Sequence, residues 1–275
     1  MKQGDFRILD TTLRDGDQCP LGGFTGQQKL AIARELAAAG VDIIEAGFPA
    51  SGKADFDACA LVANASRDFP GSPAISLMAR AKKEDIILAA RALAGHPRGI
   101  IHLTLPVSDR HIEAKLRLDR KGILTLARES VLRAREKGYA VELGAEDATR
   151  ANPEFLAEFA SLATESGAET VNVADTLGVA IPHEIAAIVS FLVDRIPAFR
   201  EGSAAVSVHC HNDSGLALAN TLAAIDAGAG QVEVTVLGLG ERAGNAALEE
   251  IAAIVAARPD RYPRTGCLDR AALDR

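Results

Sequence analysis

Short runs of β-branched and aliphatic residues alternate with longer, Ala-rich stretches of helical period, about eight times along the chain. The runs predict strands over 6–9, 41–46, 74–77, 100–105, 140–143, 170–173, 205–209 and 231–236. The stretches between them predict helices near 26–39, 53–66, 82–94, 121–137, 153–166, 183–195, 214–227 and 245–257. Gly40, Gly138 and Gly167 fall between a helical stretch and the next strand, where a residue without a Cβ closes a helix in the left-handed conformation. Pro153 and Pro182 stand at expected helix starts, where the first turn has no internal use for an N–H. Eight strand-then-helix units predict an α/β protein, a (β/α)8 TIM barrel. A doubly wound sheet is the alternative, but the first strand leads into Asp10-Thr11-Thr12-Leu13-Arg14-Asp15 rather than a Gly-rich dinucleotide turn. The barrel is expected over 1–258 as the catalytic unit. Residues 259–275 are expected as a peripheral tail, with no accessory or regulatory domain.

Composition narrows the setting. At 48% hydrophobic over 275 residues, the chain has apolar material for one large domain or two modest ones. Aromatics are only 4%, with no Trp, so the core is aliphatic and an aromatic-lined binding module is disfavoured. No run approaches the length of a membrane span, and the first residues lack the basic and apolar regions of a secretory signal. A cytoplasmic protein is expected. Cys19, Cys59, Cys210 and Cys267 are scattered without a CxxC pair, and disulfides are not expected. A formal charge of −7 argues against a nucleic-acid partner. It leaves room for an anionic metabolite, because a local Arg or metal overrides the global field.

In a barrel the active site is built from the C-terminal ends of the strands, and there the polar groups of this sequence collect. Strand 1 runs into Arg14-Asp15-Gly16-Asp17-Gln18, strand 2 ends in Glu45, strand 4 carries His102, and strand 5 is followed by a Glu146-Asp147 loop. Strand 6 brings Asn172, Asp175 and Thr176; strand 7 ends in His209-Cys210-His211-Asn212-Asp213; strand 8 gives way to the Gly-rich segment 238–245. The opposite ends hold far fewer such groups, which points to an enzyme. His209 and His211, two apart in a strand, share a side. With a carboxylate and a further oxygen they suit Mn2+, Mg2+, Fe2+ or Zn2+; the alternative is an ordinary polar strand end. Arg14 reads as an anion clamp beside the metal ligand Asp15, or as half of an ion pair closing the mouth. Gln18 either donates to a substrate oxygen or caps its loop. Glu146 or Asp147 supplies acid–base chemistry, or the two are a solvated pair. His102 is a pocket residue or a satisfied core histidine. The glycines of 238–245 bring N–H groups or Asn245 to a ligand, or simply make a turn.

The segment Leu9-Asp10-Thr11-Thr12-Leu13-Arg14-Asp15-Gly16-Asp17-Gln18 resembles the opening signature of the 2-isopropylmalate, homocitrate and citramalate synthase family, which shares its barrel and metal site with hydroxymethylglutaryl-CoA lyase. The likeness continues through Glu45-Ala46-Gly47-Phe48-Pro49, Asp175-Thr176-Leu177-Gly178, Ser207-Val208-His209-Cys210-His211-Asn212-Asp213 and Gly240-Glu241-Arg242-Ala243-Gly244-Asn245-Ala246. The resemblance implies a divalent metal (Mn2+, Mg2+ or Zn2+) held by Asp15, His209, His211 and Asn245. It implies that Arg14 binds and polarises a 2-oxo acid, and that His102, Glu146 and Thr176 shape its pocket, with Arg14 and Glu146 catalytic. Gln18, Asn212 and Gly244 are implied on the acetyl-CoA side. The implied reaction is a Claisen-type condensation of acetyl-CoA with the 2-oxo acid, followed by thioester hydrolysis. A homodimer is implied as well. The lyases carry a cysteine in the strand-8 loop, and none lies between Cys210 and Cys267 here, so condensation is favoured over acyl-CoA cleavage. A metal-dependent aldolase or lyase acting on a 2-hydroxy or 2-oxo acid is the second reading. A non-catalytic barrel that binds a metal-chelating acid is the third.

Departures from the family pattern qualify the expectation. Asp17 stands where the opening motif usually has Glu, and Leu237 where the strand-8 loop commonly has Asn. Full synthases continue into a helical region that supplies a His and a Tyr, and the expectation here is a barrel without it or a leucine-sensing domain. Glu142 stands where homocitrate synthases commonly place an Arg for a distal carboxylate, which favours a monocarboxylic 2-oxo acid, while Gly144 leaves the side-chain size open.

Overall fold

The computed structural model describes residues 6–20, 22–262 and 268. Eight parallel strands close into a barrel in sequence order: β1 (Arg7–Asp10), β2 (Ile43–Glu45), β3 (Ala74–Arg80), β4 (Gly99–Pro106), β5 (Ala140–Glu146), β6 (Thr170–Asp175), β7 (Ala205–Cys210) and β8 (Gln231–Val234). β1 pairs with β8 from Arg7 opposite Gln231 to Asp10 opposite Val234, so the sheet has no open edge. The outer ring is α1 (Gly26–Ala39), α2 (Lys53–Ala65), α3 (Lys83–Leu93), α4 (Arg120–Arg135), α5 (Pro153–Glu165), α6 (Pro182–Arg195), α7 (Ala217–Asp226) and α8 (Leu248–Ala257). The chain thus forms the expected (β/α)8 barrel. α1 opens on a capping box between Thr25 and Gln28 and closes on Gly40 at φ 84°. Pro153 and Pro182 open α5 and α6 as the sequence predicts.

Several boundaries move for local reasons. β2 is shorter than expected because the Asp42 carboxylate, rather than a strand carbonyl, accepts the Ile8 N–H at 2.7 Å. β8 stops at Val234, and the Val236 N–H turns to the Thr12 hydroxyl at 2.8 Å. β5 runs on through Glu146, which is a strand residue and not part of a loop. α7 starts at Ala217, whose N–H the Asn212 side chain accepts at 3.1 Å, rather than at 214. A short helix at Asp109–His111 and a π turn at Ile112–Leu116 follow β4 where only a loop is expected. Of the expected tail, Tyr262 is buried against the core, and most of the remainder lies outside the described residues.

The barrel interior is layered. Leu9, Ile43, Ala74 and Ile100, with Ala140 against them, form a small apolar cluster separate from the main core. Two residues further along these strands, on the same side of the sheet, come Thr11, Glu45, Ser76, His102 and Glu142. That second layer is polar and bonded across the barrel: Glu45 to His102, and Glu142 to Gln231. The main aliphatic core lies between sheet and helices, with Ile8, Ile44, Leu77, Leu103 and Phe159 fully buried. Apolar layers outside and below hold the strands, which leaves the upper interior available for chemistry.

Candidate active site

Two loops and the end of β7 build the site. After β1 the Thr11 carbonyl accepts the N–H groups of Arg14, Asp15 and Gly16 at 3.1, 2.9 and 3.2 Å, so the chain coils over the strand end and buries Asp15. His209 lies in β7 and His211 just beyond it, both buried. The loop after β8 folds back along β7 through a bridge between His211 and Asn245 and a bond from the Asn212 N–H to the Gly244 carbonyl at 2.9 Å. Gly244 makes this possible. It sits at φ 86°, and a Cβ there would lie 2.0 Å from the Gly238 carbonyl oxygen.

Asp15, His209 and His211 converge, with one ligand atom from each within 4.8 Å of the others. Asp15 Oδ2 lies 3.2 Å from His209 Nε2 and 3.9 Å from His211 Nε2, and Arg14 donates to the same oxygen at 2.9 Å. Glu233 takes the His209 Nδ1 hydrogen at 2.7 Å, which aims Nε2 at Asp15. Burial opposes the Asp15 charge, but Arg14 and the two imidazoles outweigh it and hold the carboxyl well below its usual range. Burial likewise opposes charge on His209, yet Asp15 and Glu233 raise it to about 10. His211 drops to about 4 through burial and the neighbouring His209.

The donor set suits a divalent cation. A proton on His209 sits between two carboxylates, which is where a metal's positive charge would be welcome. Asn245 donates to Asp15 at 3.3 Å and to the Leu239 carbonyl at 2.9 Å, while its buried Oδ1 has no hydrogen-bond partner among the described residues. One carboxylate, two imidazoles and an amide oxygen therefore fit the group that the sequence implies. A second cluster, His102, Glu142 and Glu233, also brings ligand atoms together. Its groups are bonded to protein: His102 to Glu45, Glu142 to Gln231, and Glu233 to His209 and Asn172. It is a scaffold for the first.

Arg14 is aimed by Glu45, which accepts its Nε at 2.6 Å and the Thr11 hydroxyl at 2.7 Å, and bonds His102 Nδ1 through its other oxygen at 2.7 Å. Burial disfavours a charged His102, but Glu45 and then Glu142 lift it to about 9. Burial pushes the Glu142 carboxyl up to about 7. Glu142 is buried opposite His102 on the neighbouring strand, and a Cβ on Gly144, the next inward position, would approach His102 Nε2 to 3.0 Å.

Other sequence-derived residues lie around this centre without joining its bonds. Glu146 pairs with His111 Nδ1 at 2.6 Å and with Lys115. The Thr176 hydroxyl accepts the Asp147 N–H at 2.8 Å. Gln18 is exposed at the end of a 3-10 turn, Gly16–Gln18. Asn212 caps α7, and Gly244 shapes the β8 loop. Sequence reasoning assigned no role to Glu233 and only noted Glu45, although these two carboxylates orient His209, Arg14 and His102. Their signal is a Glu at an inward, alternating position in an otherwise apolar strand.

The sequence and the structure have known counterparts. The family described as HMGL-like matches residues 5–269. A 2-isopropylmalate synthase of Methylacidiphilum infernorum is 46% identical over 256 residues, covering 93% of this chain and 49% of that protein. A 2-isopropylmalate synthase 1 of Caldanaerobacter subterraneus is 44% identical over 255 residues, covering 93% of this chain and 63% of that one. The chain thus spans about half to two thirds of the length of these relatives. Among solved structures, the Bacillus subtilis HMG-CoA lyase superposes with a TM-score of 0.81 at 17% identity, covering 98% of this chain and 92% of that one; it shows the shared fold. By the length and continuity of the family match, this chain belongs to the HMGL-like family of barrels.

Proposed function

We propose that the protein condenses acetyl-CoA with a 2-oxo acid at a divalent metal ion held by Asp15, His209, His211 and Asn245. The observation that carries this is the convergence of Asp15, His209 and His211 beside an Arg14 that Glu45 aims into the same place. A bound metal would act as a Lewis acid toward the carbonyl of a chelating 2-oxo acid. Arg14 has one nitrogen on Glu45 and one on Asp15, which leaves further N–H donors for developing negative charge on the carbonyl oxygen. His102, supported from below by Glu45, offers a charged donor for the acid's carboxylate. Glu146, with His111 and Lys115 on its carboxylate, is the candidate the sequence offers for moving a proton, and Thr176 bonds the neighbouring Asp147 N–H. Gln18, Asn212 and Gly244 lie on the β1, β7 and β8 loops, where acetyl-CoA would enter. The barrel as the catalytic unit, a homodimer, a monocarboxylic 2-oxo acid and a cytoplasmic setting without nucleic-acid partners belong to the same proposal. Among the described residues no helix is long and apolar enough to cross a membrane, and Cys19, Cys59 and Cys210 are free thiols.

Two relatives at 44–46% identity are synthases, whereas the lyase likeness is one of fold, and this supports condensation over cleavage. CoA-thiol release tests it, with Mn2+, acetyl-CoA and a panel of pyruvate, 2-oxoisovalerate, 2-oxoglutarate and longer homologues. Release that depends on one acid and disappears with chelator supports the proposal. Metal binding without release from any acid would move the reading to a CoA-independent aldolase or lyase on the same site.

A further inference from the structure

Lys29 is a charged residue on the inward face of α1, in line with the buried Ala33, Leu36 and Ala37, and it is only 2% exposed. A buried ammonium is costly unless it is paired and hydrogen-bonded. Its partners both belong to the loop after β1. Lys29 Nζ donates to the Leu13 carbonyl at 2.9 Å and pairs with Asp17 Oδ2 at 2.8 Å. The other Asp17 oxygen accepts the N–H groups of Gly23 and Phe24 at 3.0 and 2.6 Å. One ammonium therefore grips the loop on either side of Arg14 and Asp15. It also lies beside the exit of β2, since a Cβ on Gly47 would come within 3.4 Å of Nζ. Glu45, two residues before that glycine, is the group that aims Arg14.

We infer that Lys29 is a positioning residue that, through Leu13 and Asp17, fixes where Asp15 meets the two histidines. This inference rests on the metal site proposed above. The loop that carries Asp15 to within 3.2 Å of His209 Nε2 is thus tethered, besides its own Arg14, by a buried cation from a helix outside the barrel.

Mn2+ titration of the purified chain tests the inference, followed by calorimetry and by the Mn2+ electron-paramagnetic-resonance line shape. Lys29→Met keeps most of the volume and removes the tether; Asp17→Asn keeps an acceptor for Gly23 and Phe24 and removes only the charge partner. Both variants are expected to bind Mn2+ about tenfold more weakly than wild type, with an altered line shape, in the manner of lost outer-shell support. Val189→Ala, a core truncation in α6, is expected to lower the melting midpoint and leave the Mn2+ affinity unchanged, which separates positioning from general stability. Wild-type affinity in folded Lys29→Met and Asp17→Asn would overturn the inference. If Lys29→Met does not fold, Asp17→Asn alone decides. A wild-type protein that binds no Mn2+ would instead overturn the metal site itself, and this inference with it.

Discussion

Glu233→Gln isolates the support behind His209, the histidine proposed to bind the metal. In the wild type one carboxylate oxygen takes the His209 Nδ1 hydrogen at 2.7 Å and the other takes an amide hydrogen of Asn172. A carboxamide has nearly the same shape but only one accepting oxygen. If that oxygen faces His209, the charge-assisted bond at Asn172 is lost, and Asn172 must turn its amide to offer the otherwise unpartnered Oδ1 to the new NH2. If it faces Asn172, an NH2 meets His209 Nδ1, and the ring proton moves to Nε2, the atom that points at Asp15. Either arrangement loses one buried, charge-assisted hydrogen bond, worth about 1.5–3 kcal/mol. In a binding constant that is roughly 10- to 100-fold, matching the usual effect of removing a ligand's outer-shell partner. Isothermal calorimetry with Mn2+ at pH 7.5 measures it, with the exposed Glu250→Gln as control. A folded Glu233→Gln protein whose Mn2+ affinity stays within about twofold of wild type would refute the idea that Glu233 sets the His209 tautomer.

Three further outcomes are expected. The Glu142 carboxyl is raised by burial from its ordinary 4.5 to about 7, so between those values the fold holds a proton that the unfolded chain has lost. Stability contributed by this group therefore falls as pH rises through that window, by up to about 3 kcal/mol. Urea midpoints at pH 5 and 8 should drop more steeply for wild type than for Glu142→Gln, and parallel drops would count against it. Gly244→Ala forces a Cβ against the Gly238 carbonyl at a positive φ and should cost about 2 kcal/mol in thermal unfolding while weakening Mn2+ binding through Asn245; an unchanged melting curve would show that the loop yields easily. Leu237 is 74% exposed at φ 56°, a conformation that Leu adopts at a cost of about 1 kcal/mol and that Asn tolerates better. Leu237→Asn should raise the melting midpoint by about 2 °C or more, whereas a lower midpoint would mean the Leu side chain makes a contact worth more than the strain.

The barrel was legible in the sequence because each of its signals is local. Alternating aliphatic runs, Gly40 after α1 and Pro153 and Pro182 at helix starts each report on a few neighbouring residues, and eight repeats leave little choice of architecture. The metal-ligand candidates were legible for a similar reason: His209 and His211 are two apart on one strand, and Asp15 follows another. What the sequence did not reveal depends on contacts between distant elements. Glu233 meets Asn172 from β6 and His209 from β7, and its inward position in β8 marks it as a buried carboxylate without naming those partners. Lys29 reads as an ordinary helix lysine until α1 is seen packed over the β1 loop. Glu146 looked like a loop acid because the strand was expected to end at Leu143; three more ladder positions, Gly144 to Glu146 opposite Thr104 to Pro106, carry it into the sheet.

The central claim is that Asp15, His209 and His211 hold one divalent ion. Anomalous diffraction at the manganese edge, on crystals soaked in Mn2+, places the ion directly. The expected result is a single strong peak bounded by Asp15, His209 and His211, with Asn245 at its edge, that is absent from Asp15→Ala crystals. A peak instead among His102, Glu142 and Glu233, or no peak beside Asp15 at saturating Mn2+, would contradict it.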